Sequence, residues 1–186
     1  SLLAAMRIRR EKGIYAHPQP AVYHRAEFKK RMRDEGWTLL APQMSPIHFD
    51  MLEPVFRKHG YRVELLKNDD RAAIDMGLRF VNNDACFPSI TVVGQLMEAV
   101  LSGRYDTNRL ALMMTQTGGC CRASNYVGFI RRALEKAGYG HIPVISVNFN
   151  GMEKNDGFTL SKGLITDAVH ALVYGDLFMR CLYRVR

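Results

Sequence analysis

Apolar positions along the chain fall into short extended runs separated by helical stretches. Residues 21–35 carry a helical spacing that Gly36 ends. Residues 37–41 (WTLLA) predict a strand. Ser45-Pro46 then opens a helix through residue 59, with Pro46 suited to a first helical turn and Gly60 closing it. Residues 61–66 (YRVELL) predict a second strand. Asn68-Asp69-Asp70 caps a helix over residues 70–76, which Gly77 stops. Residues 78–81 (LRFV) predict a third short strand, and residues 89–101 a helix. Residues 109–115 (RLALMMT) predict a fourth strand, apolar enough to be buried on both faces. A strongly periodic helix over 123–137, a fifth strand over 142–149 (IPVISVNF) and a long helix over 161–183 complete the pattern. Gly163 and Gly175 are weak points of that last helix. Residues 1–20 read as an irregular basic arm, interrupted by Gly13, Pro18 and Pro20.

This alternation predicts an α/β fold: a Rossmann-like three-layer domain with a mainly parallel sheet of about five strands. Its crossovers are expected to be right-handed. Residues 21–186 form a single domain in this reading, with no repeat or interdomain linker. Ligands of such sheets bind beyond the carboxyl ends of the strands. Three loops are expected there: residues 82–88, residues 116–122 and residues 148–151.

Composition narrows the class. The 186 residues are 47% hydrophobic and 24% charged, ordinary values for a globular chain with a substantial core. No apolar run is long enough for a membrane span, and no secretory leader is recognisable. Cys86, Cys120, Cys121 and Cys181 lack the spacing of a secreted disulfide framework, so a reducing, cytoplasmic setting is expected. The net charge of +8 gathers around Arg7–Lys12, around Lys29–Arg33 and at the last residues. No RNA-binding aromatic signature accompanies these clusters, which weighs against nucleic acid. A solvated face, or a surface for an anionic ligand or an acidic partner domain, is the plainer reading. The chain begins at Ser1 and stops within a helical run, as a piece of a larger protein would.

The candidate chemistry lies in two cysteine loops. Cys86 and Cys121 each stand at or just before a predicted helix start. Free backbone N–H groups and the helix dipole favour a thiolate there, and Arg122 adds a fixed positive charge beside Cys121. Such thiols suit metal or cluster ligation or redox chemistry; the plainer alternative is two small buried residues. Gly118-Gly119 would let a backbone approach an anion or clear space for a bulky ligand, but no GxxxxGK[ST] or complete GxGxxG is present. Arg122, Asn125 and Tyr126 lie within one helical turn for contact with an anionic ligand, Arg122 foremost. A structural zinc site lacks support, because no CxxC, HxxxH or HExxH occurs. Asp84 is expected to cap a helix or orient a ligand. His48 is expected at a helix cap or near the active edge, and Cys181 in the core. Ser124 has no neighbouring histidine to activate it.

The segments NNDACFPSITVVGQLMEAVLSGRYD, TQTGGCCRASNYVGFIRRALEKAGY, PVISVNFNG and VYGDLFMR resemble the 2-hydroxyacyl-CoA dehydratase and activase-related superfamily. The resemblance is closest to the dehydratase-like C-terminal region of large activase-related proteins, and runs from about residue 7 to the end. It implies Rossmann-like α/β domains that hold an iron–sulfur cluster through cysteines. It also implies a separate ATP-dependent activase that passes the cluster an electron, enabling radical removal of water from a 2-hydroxyacyl-CoA. The matching residues here are Cys86 and Cys121. Cys120 stands where that pattern usually has a third glycine. Two cysteines do not complete a ligand set. The remainder is expected from other domains of a parent chain or from a second dehydratase-like subunit. The ATPase signature of an activase is absent from this sequence. The competing expectation is a non-catalytic Rossmann-like scaffold that binds an anionic ligand or a partner domain.

Overall fold

The computed structural model describes residues 2–13, 25–148, 151 and 153–185. Four strands, β1 (Thr38–Pro42), β2 (Arg62–Leu66), β3 (Leu110–Thr115) and β4 (Val144–Val147), form one sheet in the order β2-β1-β3-β4. Every pairing is parallel: Leu39 lies opposite Val63 and Ala111, and Met113 opposite Ile145. Seven helices accompany them among the described residues: α1 (Leu2–Glu11), α2 (Lys30–Asp34), α3 (Pro46–Lys58), α4 (Arg71–Phe80), α5 (Phe87–Leu101), α6 (Tyr126–Lys136) and α7 (Lys162–Val185).

The strands explain the layers. β3 is buried along Leu110–Met114, as its unbroken apolar run requires. Its residues alternate: Leu110, Leu112 and Met114 face one core, Ala111 and Met113 the other. The first core is filled from α5 and α6 by Val93, Leu96, Met97, Ile130 and Leu134. The second holds Phe28, Tyr61 and Leu164, with Val55 and Phe56 of α3 at its margin. Helices therefore cover both faces, the predicted three-layer α/β arrangement.

The chain passes outward from β1 to β2 on one side and from β3 to β4 on the other. The order thus reverses between β1 and β3, and a crevice opens beyond their carboxyl ends.

Four expectations need correction. Residues 78–81 are no strand, so the sheet has four strands and not about five. Residues 78–80 finish α4, which runs straight through Gly77, and Val81 is its extended C-cap. Gly77 is a packing residue: a Cβ there would lie 2.0 Å from the Ile90 carbonyl oxygen. Second, the predicted helix over 21–35 shrinks to α2. Its first four residues lie outside the described chain, and residues 25–29 are non-helical. The backbone there serves a tertiary pairing: Gly157 N–H donates to the Phe28 carbonyl (2.9 Å) and Phe28 is fully buried. Third, the basic arm is helical over Leu2–Glu11, a run rich in good helix formers that Gly13 ends at φ 63°. Residues 14–20 lie outside the described chain. Fourth, Cys181 is exposed, not core.

Asp70 caps α4 as predicted, accepting the Ala73 N–H at 3.1 Å. Asp70→Ala should cost about 1 kcal/mol in urea denaturation, and Asp70→Asn much less.

Candidate functional site

Cys86 is the N-cap residue of α5, with Phe87 and Pro88 opening the first turn. Its loop does not follow a strand, as expected, but turns the α4–α5 helical hairpin. Cys121 is the N-cap of a 3-10 turn, Arg122–Asn125, that leads directly into α6. Its sulfur accepts the Ala123 N–H at 3.5 Å. Both thiols therefore stand at the start of helical segments.

The two loops meet. The Tyr126 hydroxyl, at the first residue of α6, lies 3.1 Å from Cys86 Sγ. Arg122 Nη1 donates to the Asp84 carbonyl at 3.0 Å. The loop beyond β3 is anchored to the sheet as well: Gln116 Nε2 donates to the Ser124 carbonyl (2.8 Å), and Ser146 Oγ donates to Gln116 Oε1 (2.6 Å). Asn148 Nδ2 closes on Ser146 Oγ at 3.0 Å. Ser124 Oγ in turn holds the Gly119 carbonyl at 2.9 Å. The ends of β3 and β4 thereby fix the turn that carries Cys121.

The electrostatics follow from these contacts. Hydrogen bonding by Tyr126 holds the Cys86 thiol below its ordinary value against an opposing effect of burial, with Ser89 and the Arg122 charge assisting. Tyr126 is itself pushed up to about 12 by burial, by its bond to Cys86 and by the charges of Cys86 and Cys121. Of the two groups, the sulfur is therefore the one that gives up its proton first. Tyr126→Phe removes the donor to the thiolate and should raise the pH midpoint of Cys86 alkylation by iodoacetamide. A Cys120/Cys121/Cys181 triple-serine background isolates that reading, and an unchanged midpoint would contradict it.

The other predicted residues divide. Gly118 adopts φ 72°, which its loop requires of a glycine. Gly119 is exposed, and nothing lies within 4 Å of where its Cβ would stand. Arg122 is directed to the Asp84 carbonyl, the interaction that joins the loops. Asn125 is exposed, with no capping bond from its side chain to α6. Cys120 is exposed beside Cys121. Asp84 does not cap α5, because Cys86 does. His48 lies elsewhere, between Ser45 Oγ (2.9 Å) and Asp176 Oδ1 (3.0 Å). Of the third loop, residues 149 and 150 lie outside the described chain.

Spacing did not single out Tyr126 as the partner of Cys86. The two are 40 residues apart in sequence. A tyrosine opening the helix after a cysteine turn was the available signal. Among the described residues, no three His, Cys, Asp or Glu side chains gather as a metal site would need. No helix among them is long and apolar enough to cross a membrane. Comparison with protein-family models and with curated proteins finds no match.

Proposed function

We propose that this chain is a dehydratase-like domain that contributes Cys86 and Cys121 to an iron–sulfur cluster in an ATP-coupled, low-potential electron-transfer system. The carrying observation is the junction of the two cysteine loops, through Tyr126 on Cys86 and Arg122 on Asp84. Both thiols are free, Cys121 is exposed and Cys86 is half-buried. The donor set fits half of a cluster site: two thiols at helical N-termini, one of them held by a phenol. It does not fit a whole one, since no third ligating side chain joins them among the described residues. The remaining ligands belong, in this reading, to a partner domain or a second dehydratase-like subunit. A bound cluster would supply one-electron chemistry at low potential. This chain's own part is to present the thiolates, with Tyr126 supplying a hydrogen bond to Cys86. An ATP-dependent activase is the proposed electron donor.

Anaerobic reconstitution with ferrous iron and sulfide tests the proposal, followed by iron and sulfide analysis of the repurified protein. Stoichiometric iron and sulfide is the expected result. Failure to retain either, with Cys86 and Cys121 reduced and intact and with the partner domain or subunit present, would overturn it.

A further inference from the structure

The two edges of the sheet differ. In β4, Pro143 and Val147 turn their carbonyls to β3, so those of Val144 and Ser146 point outward. Both are taken: Arg131 Nη2 donates to Val144 at 2.9 Å, and Asn148 Nδ2 to Ser146 at 3.2 Å. The outer edge of β2 is open. Gln43 N–H donates to the Leu66 carbonyl at 3.0 Å, so Leu66 turns its backbone groups to β1. By the alternation of a parallel ladder, Arg62 and Glu64 do the same, while Tyr61, Val63 and Leu65 turn theirs outward. The Val63 N–H meets the Tyr61 carbonyl of its own turn at 3.0 Å. Among the described residues, none bonds the Val63 carbonyl or either backbone group of Leu65.

A groove of about 610 Å³ runs beside this edge, along Gly60–Glu64, with Glu53 and Arg57 of α3 as its bank. Unpaired backbone groups beside an open groove are a template for another strand. The side chains decide which strand. Arg62 and Glu64 are both exposed and, two residues apart, share one face of β2. An edge of one charge sign repels its own copy, but this edge carries one charge of each sign. In an antiparallel pair centred on Val63, Arg62 stands opposite Glu64 of the second copy, and Glu64 opposite its Arg62. That register also sets Val63 against Val63 and Leu65 against Tyr61, outward groups facing outward groups. Slipped one way, Arg62 would face Arg62; slipped the other way, Glu64 would face Glu64. Charge therefore selects the centred register. The bank repeats the rule. Glu53 and Arg57, bonded to each other at 2.7 Å, are of opposite sign, so two antiparallel copies of the bank are complementary.

We infer that the outer edge of β2 binds β2 of a second copy of this chain, antiparallel and two-fold symmetric about Val63, so that the two sheets become one. Antiparallel pairing points the carboxyl ends of the two sheets in opposite directions, and the cysteine loops of the two copies lie at opposite ends. The inference is thus independent of the cluster reading. A copy docked at this edge is not the source of the missing cluster ligands.

Sedimentation equilibrium of the full chain, from micromolar to near-millimolar protein, tests the inference. A reversible species of twice the 21.2 kDa of one chain is expected. Arg62→Glu and Glu64→Arg each set like charges opposite one another, and each should weaken self-association at least tenfold while the circular dichroism stays native. Mixing the two variants places opposite charges across the edge again and should restore association, as should the double reversal within one chain. Glu64 also accepts the Tyr105 hydroxyl. Should its variant not fold, Arg62→Glu against Arg62→Lys makes the same comparison. A monomer at every concentration would overturn the inference and leave the edge to an extended segment of another protein. A dimer that the single reversals leave unchanged would also overturn it, as would folded variants that stay monomeric when mixed.

Discussion

Gly94→Ala should cost about 3 kcal/mol or more, a loss typical of forced overpacking at a backbone contact. At the crossing of α4 and α5, a Cβ on Gly94 would lie 1.8 Å from the Ala73 carbonyl oxygen and 2.9 Å from the Gly77 nitrogen. Neither atom belongs to a side chain that can turn away, so the helices must separate. The consequences extend to function, because the hairpin they form carries Cys86 at its tip. For a chain of this size, each kcal/mol lowers the melting temperature by roughly 2–4 °C. A fall on the order of 10 °C in a thermal melt is therefore expected. Gly119→Ala, with open space around its Cβ position, is the matched control.

Glu153→Gln should be the next most damaging change, about 2–4 kcal/mol by denaturant titration. Glu153 is only 9% exposed and joins two guanidiniums, Arg25 at 2.5 Å and Arg131 at closer range. Arg131 Nη2 also donates to the Val144 carbonyl at 2.9 Å, which links the cluster to β4. Glutamine keeps the shape and removes the charge, leaving two cations facing each other. Breaking a fully buried pair costs more. Arg25 and Arg131 keep 24% and 15% of their side-chain surface, and solvent screens part of the loss.

The layers were legible because β1, β3 and β4 carry apolar runs bounded by glycine, proline or polar turns. What failed to show in the sequence was decided by contacts between distant segments. LRFV reads as a strand because a short apolar run fits helix or strand equally. The crossing of Gly77 over Ile90 settles it as helix, and nothing local to residues 78–81 encodes that crossing. Residues 25–29 have helical spacing yet give up their helix to bond the segment around Asn155 and Gly157. Cys181 was assigned to a core that α7 does not reach there: neighbouring Leu177 and Phe178 are themselves about half exposed, at 55% and 52%. At the candidate site, the cysteines were visible as helix starters, Cys86 two residues before Pro88 and Cys121 after a glycine pair. The contacts that join their loops were not, since Tyr126 and Arg122 reach Cys86 and Asp84 across 40 and 38 residues.

The central claim is that Cys86 and Cys121 ligate one centre. Electron paramagnetic resonance of the dithionite-reduced, anaerobically reconstituted protein tests it most directly when single cysteine variants are compared. The account predicts that Cys86→Ser and Cys121→Ser each lose the cluster signal, and that Cys120→Ser and Cys181→Ser keep it. A signal that survives both Cys86→Ser and Cys121→Ser, or vanishes only with Cys120→Ser, would contradict it.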